Sequence, residues 1–229
     1  MPRRALVPVL LLAALPARAD MPARWPDSHL GRVEATAVIQ TLNARLLAAR
    51  SATATLEAWC AGHRMAAAPR LSARLVREAD APASPETRHR LQVGPDEPVR
   101  YRRVRLACGD HVLSEADNWY VPGRLTPEMN RLLDETDTPF GRAVQSLAPT
   151  RQTVEAETLW QPLPEGWDQA PPAPAACTDL AVPDALLRHR AVLFTAGRQP
   201  FSEVVETYTR AVLAFPRPAR PEDPACTKR

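Results

Sequence analysis

Arg103-Val104-Arg105-Leu106, the turn Cys108-Gly109-Asp110-His111, and Leu113-Ser114-Glu115-Ala116-Asp117-Asn118-Trp119-Tyr120 form a stretch that recurs in outline further along the chain. The second copy reads Arg190-Ala191-Val192-Leu193, then Ala196-Gly197-Arg198-Gln199, then Phe201-Ser202-Glu203-Val204-Val205-Glu206-Thr207-Tyr208. The arginines align, the leucines align, and Ser-Glu, then Asn or Glu, then Tyr follow in step, with one residue inserted in the second turn. Each copy is a strand, a Gly-containing turn and a second strand, which predicts a β-hairpin. Self-similarity of this kind indicates a duplicated unit. Two equivalent hairpins can place a polar residue from each at matched points of one cavity, here Asn118 and Glu206.

Around these hairpins the periodicity predicts helices and two further strands. Val33 to Ala49 carries apolar residues at Ile39, Leu42, Leu46 and Leu47, a helical spacing. Ser51-Ala52-Thr53 supplies capping residues for a second helix to about Ala61. Leu71 to Arg77 alternates as a strand, and so does Thr150 to Leu159. Ser84-Pro85-Glu86, Thr126-Pro127-Glu128 and Asp137-Thr138-Pro139 each read as a helix start with a proline in the first turn. The order predicts an α+β fold: a single, mostly antiparallel sheet with helices on one face and an internal hairpin pseudo-repeat.

The ends read differently from the middle. Arg3 and Arg4, an apolar run from Ala5 to Leu15 and Ala17-Arg18-Ala19 predict a secretory signal peptide over 1–19. That leaves a domain over 20–215 and a Pro-rich tail over 216–229. The chain has 29 Lys+Arg and 26 Asp+Glu, and removing Arg3, Arg4 and Arg18 leaves 26 of each. A formally neutral mature chain argues against a nucleic-acid partner. No second long apolar run follows, so no membrane span is expected after cleavage, and export points to a bacterial periplasm. Four cysteines in an oxidising compartment suggest disulfides, Cys60 with Cys108 and Cys177 with Cys226. Without a C-x-x-C and with five scattered histidines, no metal is expected. No P-loop, dinucleotide fingerprint, G-x-S-x-G or H-E-x-x-H is present, so cofactor-free chemistry or simple binding is favoured. The sequence leaves the oligomeric state open, with a monomer favoured.

Three spots can carry chemistry. Strand alternation puts Ser114, Ala116, Asn118 and Tyr120 on one face, and Ser202, Val204, Glu206 and Tyr208 on the matching one. Glu206 beside apolar valines is partly desolvated, which suits a proton acceptor or a hydroxyl partner. Arg100, Arg102, Arg103 and Arg105 crowd one strand, so at least two point outward and an inward one needs an anion. The helix start at Thr138-Pro139-Phe140-Gly141-Arg142 offers free backbone N–H groups.

At these residues the chain resembles the chorismate pyruvate-lyases and the UTRA-type ligand-binding domains that share their fold. Ser51-Ala52-Thr53-Ala54-Thr55-Leu56-Glu57 is similar to the family's S-x-T-x-x-[LF]-E segment. Arg103 to Cys108 with Val121-Pro122 is similar to its first hairpin, Thr138 to Arg142 to its T-P-L-G-R turn, and Gln199-Pro200 through Glu206 to its last strand. The resemblance implies an internal cavity for a small, aromatic carboxylate, lined by Ala52, Arg103, Asn118, Phe140 and Glu206. Arg103 would bind the ring carboxylate, as would the backbone N–H of Phe140, and Glu206 would face the hydroxyl end. If it implies an enzyme, the reaction is a lyase step taking chorismate to 4-hydroxybenzoate and pyruvate without a cofactor, Glu206 and Arg103 being catalytic. Ala52 and Phe140 replace other apolar residues of the family, and Asn118 replaces a second Arg.

Overall fold

The computed structural model describes residues 24–218 except 78, 172–174 and 177. The expected signal peptide, the tail beyond 218 and the Cys177–Cys226 pair lie outside the described residues.

Two helices open the described chain. Helix α1 spans His29–Ala48 and begins ahead of the expected Val33, because the Ser28 hydroxyl accepts a hydrogen bond from the Gly31 N–H at 3.1 Å. It buries Ala35, Ile39, Leu42 and Leu46. Helix α2, Ala52–Gly62, is capped by Ser51 in the same way. Helix α3 covers Pro85–Leu91, α4 Pro127–Glu135 and α5 only Phe140–Ala143. Ser84 and Thr126 cap α3 and α4, each followed by a first-turn proline as expected.

Six strands form one antiparallel sheet: β1 Leu71–Leu75, β2 Arg100–Cys108, β3 His111–Tyr120, β4 Thr150–Thr158, β5 Ala185–Phe194 and β6 Pro200–Thr209. Their order is β1-β2-β3-β6-β5-β4. The two hairpins therefore sit back to back, with β1 and β4 at the outer edges. Asp117 pairs with Val205, its own counterpart in the repeat, so a local two-fold runs through that pair. Ser114 faces Tyr208 and Tyr120 faces Ser202 across the same junction, all four fully buried. The residues that made the repeat visible are thus spent on joining its halves. The second hairpin ends at Thr209; its hydroxyl caps the Ala211 N–H, and Arg210–Leu213 is a 3-10 turn.

Both hairpins carry a register shift at equivalent points, next to Leu106 in the first and Leu193 in the second. The partners run Cys108↔His111 and Ala107↔Val112, then skip Leu113 to Leu106↔Ser114. Such a bulge changes which side chains of β2 share a face with Asn118. Without it Arg103 would lie opposite Ala116, on the inner face; with it Arg102 lies opposite Asn118 and Val104 opposite Ala116.

The inner face joins α1, α2, α4 and α5 in one apolar core that includes Ile39, Leu42, Leu56, Trp59, Leu133 and Phe201. Trp59 reaches across to donate to the Val212 carbonyl at 2.9 Å. The Cys60–Cys108 disulfide is present and ties the end of α2 to the end of β2. Helix α3 covers part of the opposite face, where Thr87 and Arg90 meet the buried Glu203 carboxylate. Burial alone would raise the Glu203 pKa, but hydrogen bonds from Arg90 and Arg190 outweigh it and hold the carboxyl below its ordinary range.

Candidate functional site

A cavity of about 600 Å³, counted with its open mouth, lies between the inner face of the sheet and the starts of α2 and α5. Its walls are largely apolar, including Val104, Leu106, Leu193 and Val204. Among them stand a few polar side chains, placed by register. Arg102, Asn118 and Val204 follow one another across β2, β3 and β6, while Glu206 lies two residues along β6, opposite Ala116. Two strand spacings and a two-residue offset put the backbones of Arg102 and Glu206 about 12 Å apart.

Arg102 is only 5% exposed. Its Nη2 donates to the Thr138 carbonyl at 3.1 Å, and its Nε has no hydrogen-bond partner among the described residues. Among the described residues no carboxylate pairs with it. Burial pushes its pKa down to about 10, opposed in part by Tyr120 and Asp134. A cation held in this way is costly until an anion reaches it.

Glu206 is also buried, and its Oε2 is engaged twice. Arg151 Nη1 donates to it at 2.9 Å and the Tyr208 hydroxyl donates at 3.0 Å. Burial, then the neighbouring Glu206 charge, lifts the Tyr208 pKa well above its ordinary value, so the phenol stays a donor. No hydrogen bond to Oε1 is seen among the described residues. Asn118 accepts from the Ser202 hydroxyl at 2.7 Å through Oδ1. With the amide oriented by that bond, Nδ2 is its available donor. Ala52, Phe140 and Gly141 close the cavity from the helix side. Phe140 packs on Tyr120 and Phe201, with ring centres 5.6 and 6.3 Å away. A Cβ on Gly141 would lie 2.9 Å from Thr53 Oγ1, so glycine lets α5 approach α2 closely. The two helical segments are also tied by an ion pair between Arg142 and Glu57.

Of the expected ligand residues, the structure gathers Ala52, Asn118, Phe140 and Glu206 around this cavity. Arg103 is elsewhere. It lies on the outer face, its side chain 41% exposed, 3.3 Å from Glu115 and 3.8 Å from Asp117. The cause is the β2 bulge, and Arg102 takes the inward position. The Arg103–Glu115 pair has its repeat counterpart in Arg190–Glu203 at 2.7 Å, so this shared Arg-Glu pattern is a cross-strand ion pair. Arg151 carried no signal in the sequence: it sits on edge strand β4, far from any motif. His189 likewise went unremarked. It is the repeat counterpart of Arg102, wholly buried, and pairs with Glu206 in the strand register. Its Nε2 meets Asn43 Oδ1 of α1 at 2.9 Å. Among the described residues no group of three His, Cys, Asp or Glu is arranged to hold a metal ion. No helix there is long and apolar enough to cross a membrane.

No family model matches the chain. It is 54% identical over 197 residues to the uncharacterized protein y4mC of Sinorhizobium fredii (strain NBRC 101917 / NGR234), covering 85% of this chain and 83% of that one. Among solved structures it is similar to PhnF from Mycobacterium smegmatis, at 16% identity and a TM-score of 0.48, covering 77% of this chain and 71% of PhnF. It is also similar to the C-terminal domain of the histidine utilization repressor from Pseudomonas syringae pv. tomato str. DC3000, at 16% identity and a TM-score of 0.40, covering 66% and 98%. The chain spans 62% of the length of YydK from Bacillus subtilis, a "possible transcriptional regulator", at 15% identity and a TM-score of 0.38 over 66% of this chain.

Proposed function

The chain belongs to the family of protein y4mC of Sinorhizobium fredii, and for it we propose the binding of a small aromatic carboxylate in the inner-face cavity. The observation that carries this reading is Arg102: a buried guanidinium on the cavity wall, with an idle Nε and no acidic partner among the described residues. A planar carboxylate matches its donors and supplies the missing charge. Asn118 Nδ2 adds a donor, and Glu206 Oε1 an acceptor for a hydroxyl at the far end of the ring. Phe140 and Val204 supply apolar wall for the ring itself. In this reading the protein is exported by its N-terminal segment to the periplasm, where the Cys60–Cys108 bond would persist.

A second reading is turnover. Glu206 lies on the cavity wall with Oε2 held by Arg151 and Tyr208, which keeps Oε1 available as a proton acceptor. Loss of a ring proton and of the enolpyruvyl group would aromatise chorismate to 4-hydroxybenzoate with release of pyruvate, needing only positioning and one base. Both readings are tested on the purified protein. Calorimetry with 4-hydroxybenzoate should show saturable binding that is lost in Arg102→Met, and incubation with chorismate reports pyruvate if the lyase reading holds. Absence of binding, or binding indifferent to Arg102, refutes the cavity reading.

A further inference from the structure

The cavity holds a second buried guanidinium. Arg151 reaches in from the opposite edge of the sheet with its side chain only 3% exposed. It gives Nη1 to Glu206, while Nη2 lies 2.9 Å from the same oxygen without hydrogen-bond alignment. Among the described residues its Nε and Nη2 have no hydrogen-bond partner. Buried donors of a charged group are left idle only at considerable cost, and Glu206 as placed satisfies just one of the five N–H bonds. Among the described residues the charged side chains lining the cavity are Arg50, Arg102, Arg151 and Glu206, three positive and one negative, for a formal net of +2. A monocarboxylate neutralises half of that.

We propose that Arg151 is a second anion-binding residue, and that it makes the cavity selective for small dicarboxylates over monocarboxylates. One acidic group would sit on Arg102. The second would meet Nε and Nη2 of Arg151, beside Glu206 and not in place of it. The strand order sets the span: Arg102 is on β2 and Arg151 on β4, at opposite sides of the cavity floor. One ring with acidic groups at separate positions bridges such a gap.

This inference rests on the carboxylate-binding reading, and its test separates the two. The probes are benzoate, 4-hydroxybenzoate, isophthalate and terephthalate, titrated calorimetrically into the full-length mature protein. The wild type should bind one of the dicarboxylates at least about tenfold more tightly than either monocarboxylate, the effect of one added charge-assisted contact. Arg151→Gln leaves Glu206 buried without its partner, so the informative variant is Arg151→Gln/Glu206→Gln. It removes one charge of each sign and keeps the net at +2. If Arg151 selects, the double variant binds the dicarboxylate no more tightly than benzoate, which carries no hydroxyl for Glu206 and so gives a baseline independent of that residue. If the preference survives there, it comes from the general field and the assignment to Arg151 is overturned. Glu206→Gln alone should sharpen the preference by freeing Arg151. Equal affinity of the wild type for both classes overturns the selectivity while leaving the carboxylate site intact; no binding of any probe overturns that site as well.

Discussion

Replacing Arg102 by methionine should make the empty protein more stable and abolish its ligand binding. Burial lowers the guanidinium pKa to about 10, which weakens its hold on the proton by more than a hundredfold against the free side chain. Each tenfold loss of proton affinity is worth about 1.4 kcal/mol, so holding this cation in the wall costs about 3 kcal/mol. What offsets it is one charge-assisted hydrogen bond, to the Thr138 carbonyl at 3.1 Å, worth about 1.5 kcal/mol. Methionine fills a similar volume and adapts its shape to the apolar wall. The net gain is about 1.5 kcal/mol, or a rise of roughly 3–6 °C in Tm for a domain of this length. The assay is calorimetric melting, with and without 4-hydroxybenzoate. In the wild type, ligand at a hundred times its Kd should add about 2.7 kcal/mol of stability, and in the variant nothing. Destabilisation of the variant by about 1 kcal/mol or more would refute the reasoning. Arg102 would then be a structural tie to Thr138, and its idle Nε would have no bearing on a ligand.

Two further perturbations test other parts of the structure. His189 is pushed down to about pKa 4, first by burial and then by the Arg151 charge, so the unfolded chain, titrating near 6.5, takes up the proton first. Stability should be unaffected above about pH 6.5, fall as pH drops toward 4 by up to about 3 kcal/mol, and then level; denaturant melts of wild type minus His189→Gln isolate this term, and parallel curves would contradict it. Breaking the Cys60–Cys108 bond, with 48 residues of sequence separation, should cost about 4 kcal/mol of chain entropy, read as a lower Tm for Cys60→Ala/Cys108→Ala, and an unchanged Tm would show that the bond contributes nothing.

Much of the architecture was legible because it depends on local pattern. Proline and acid positions after Ser84 and Thr126 marked helix starts, and alternation along Ser114 to Tyr120 assigned the faces of β3 correctly. Glu206 and Asn118 were found because the repeat aligned them and alternation turned them inward. Arg102 and Arg103 were harder to distinguish. Adjacent arginines in a strand differ only in parity, and parity depends on a bulge at Leu113 that pairing alone does not announce. Leu113 and its counterpart Phe201 are both fully buried apolar residues just past the turn, the one local trace of that bulge. Arg151 was out of reach, because its place beside Glu206 follows from β4 joining the far edge of β5, a contact with no local signature.

The duplication also explains why the cavity is one-sided. A local two-fold through Asp117 and Val205 gives the inner face of the sheet two equivalent regions. Arg102 lies in one and its counterpart His189 in the other, while Asn118 and Glu206, also counterparts, both line the open cavity. Helix α1 covers the second, with Asn43 bonded to His189 Nε2 and Leu42 and Leu46 buried in the core. That bond requires a proton on Nε2, and it leaves Nδ1 a bare acceptor in the interior. A neutral imidazole can be sealed under a helix, whereas the guanidinium of Arg102 cannot be sealed cheaply and is left on an open wall. The residues shared by the two halves, Ser, Glu, Tyr and the outward Arg, hold the sheet together. Among those that differ, Arg against His decides which half opens to a ligand. Exchanging His189 for arginine should therefore disrupt α1 packing and not create a second site.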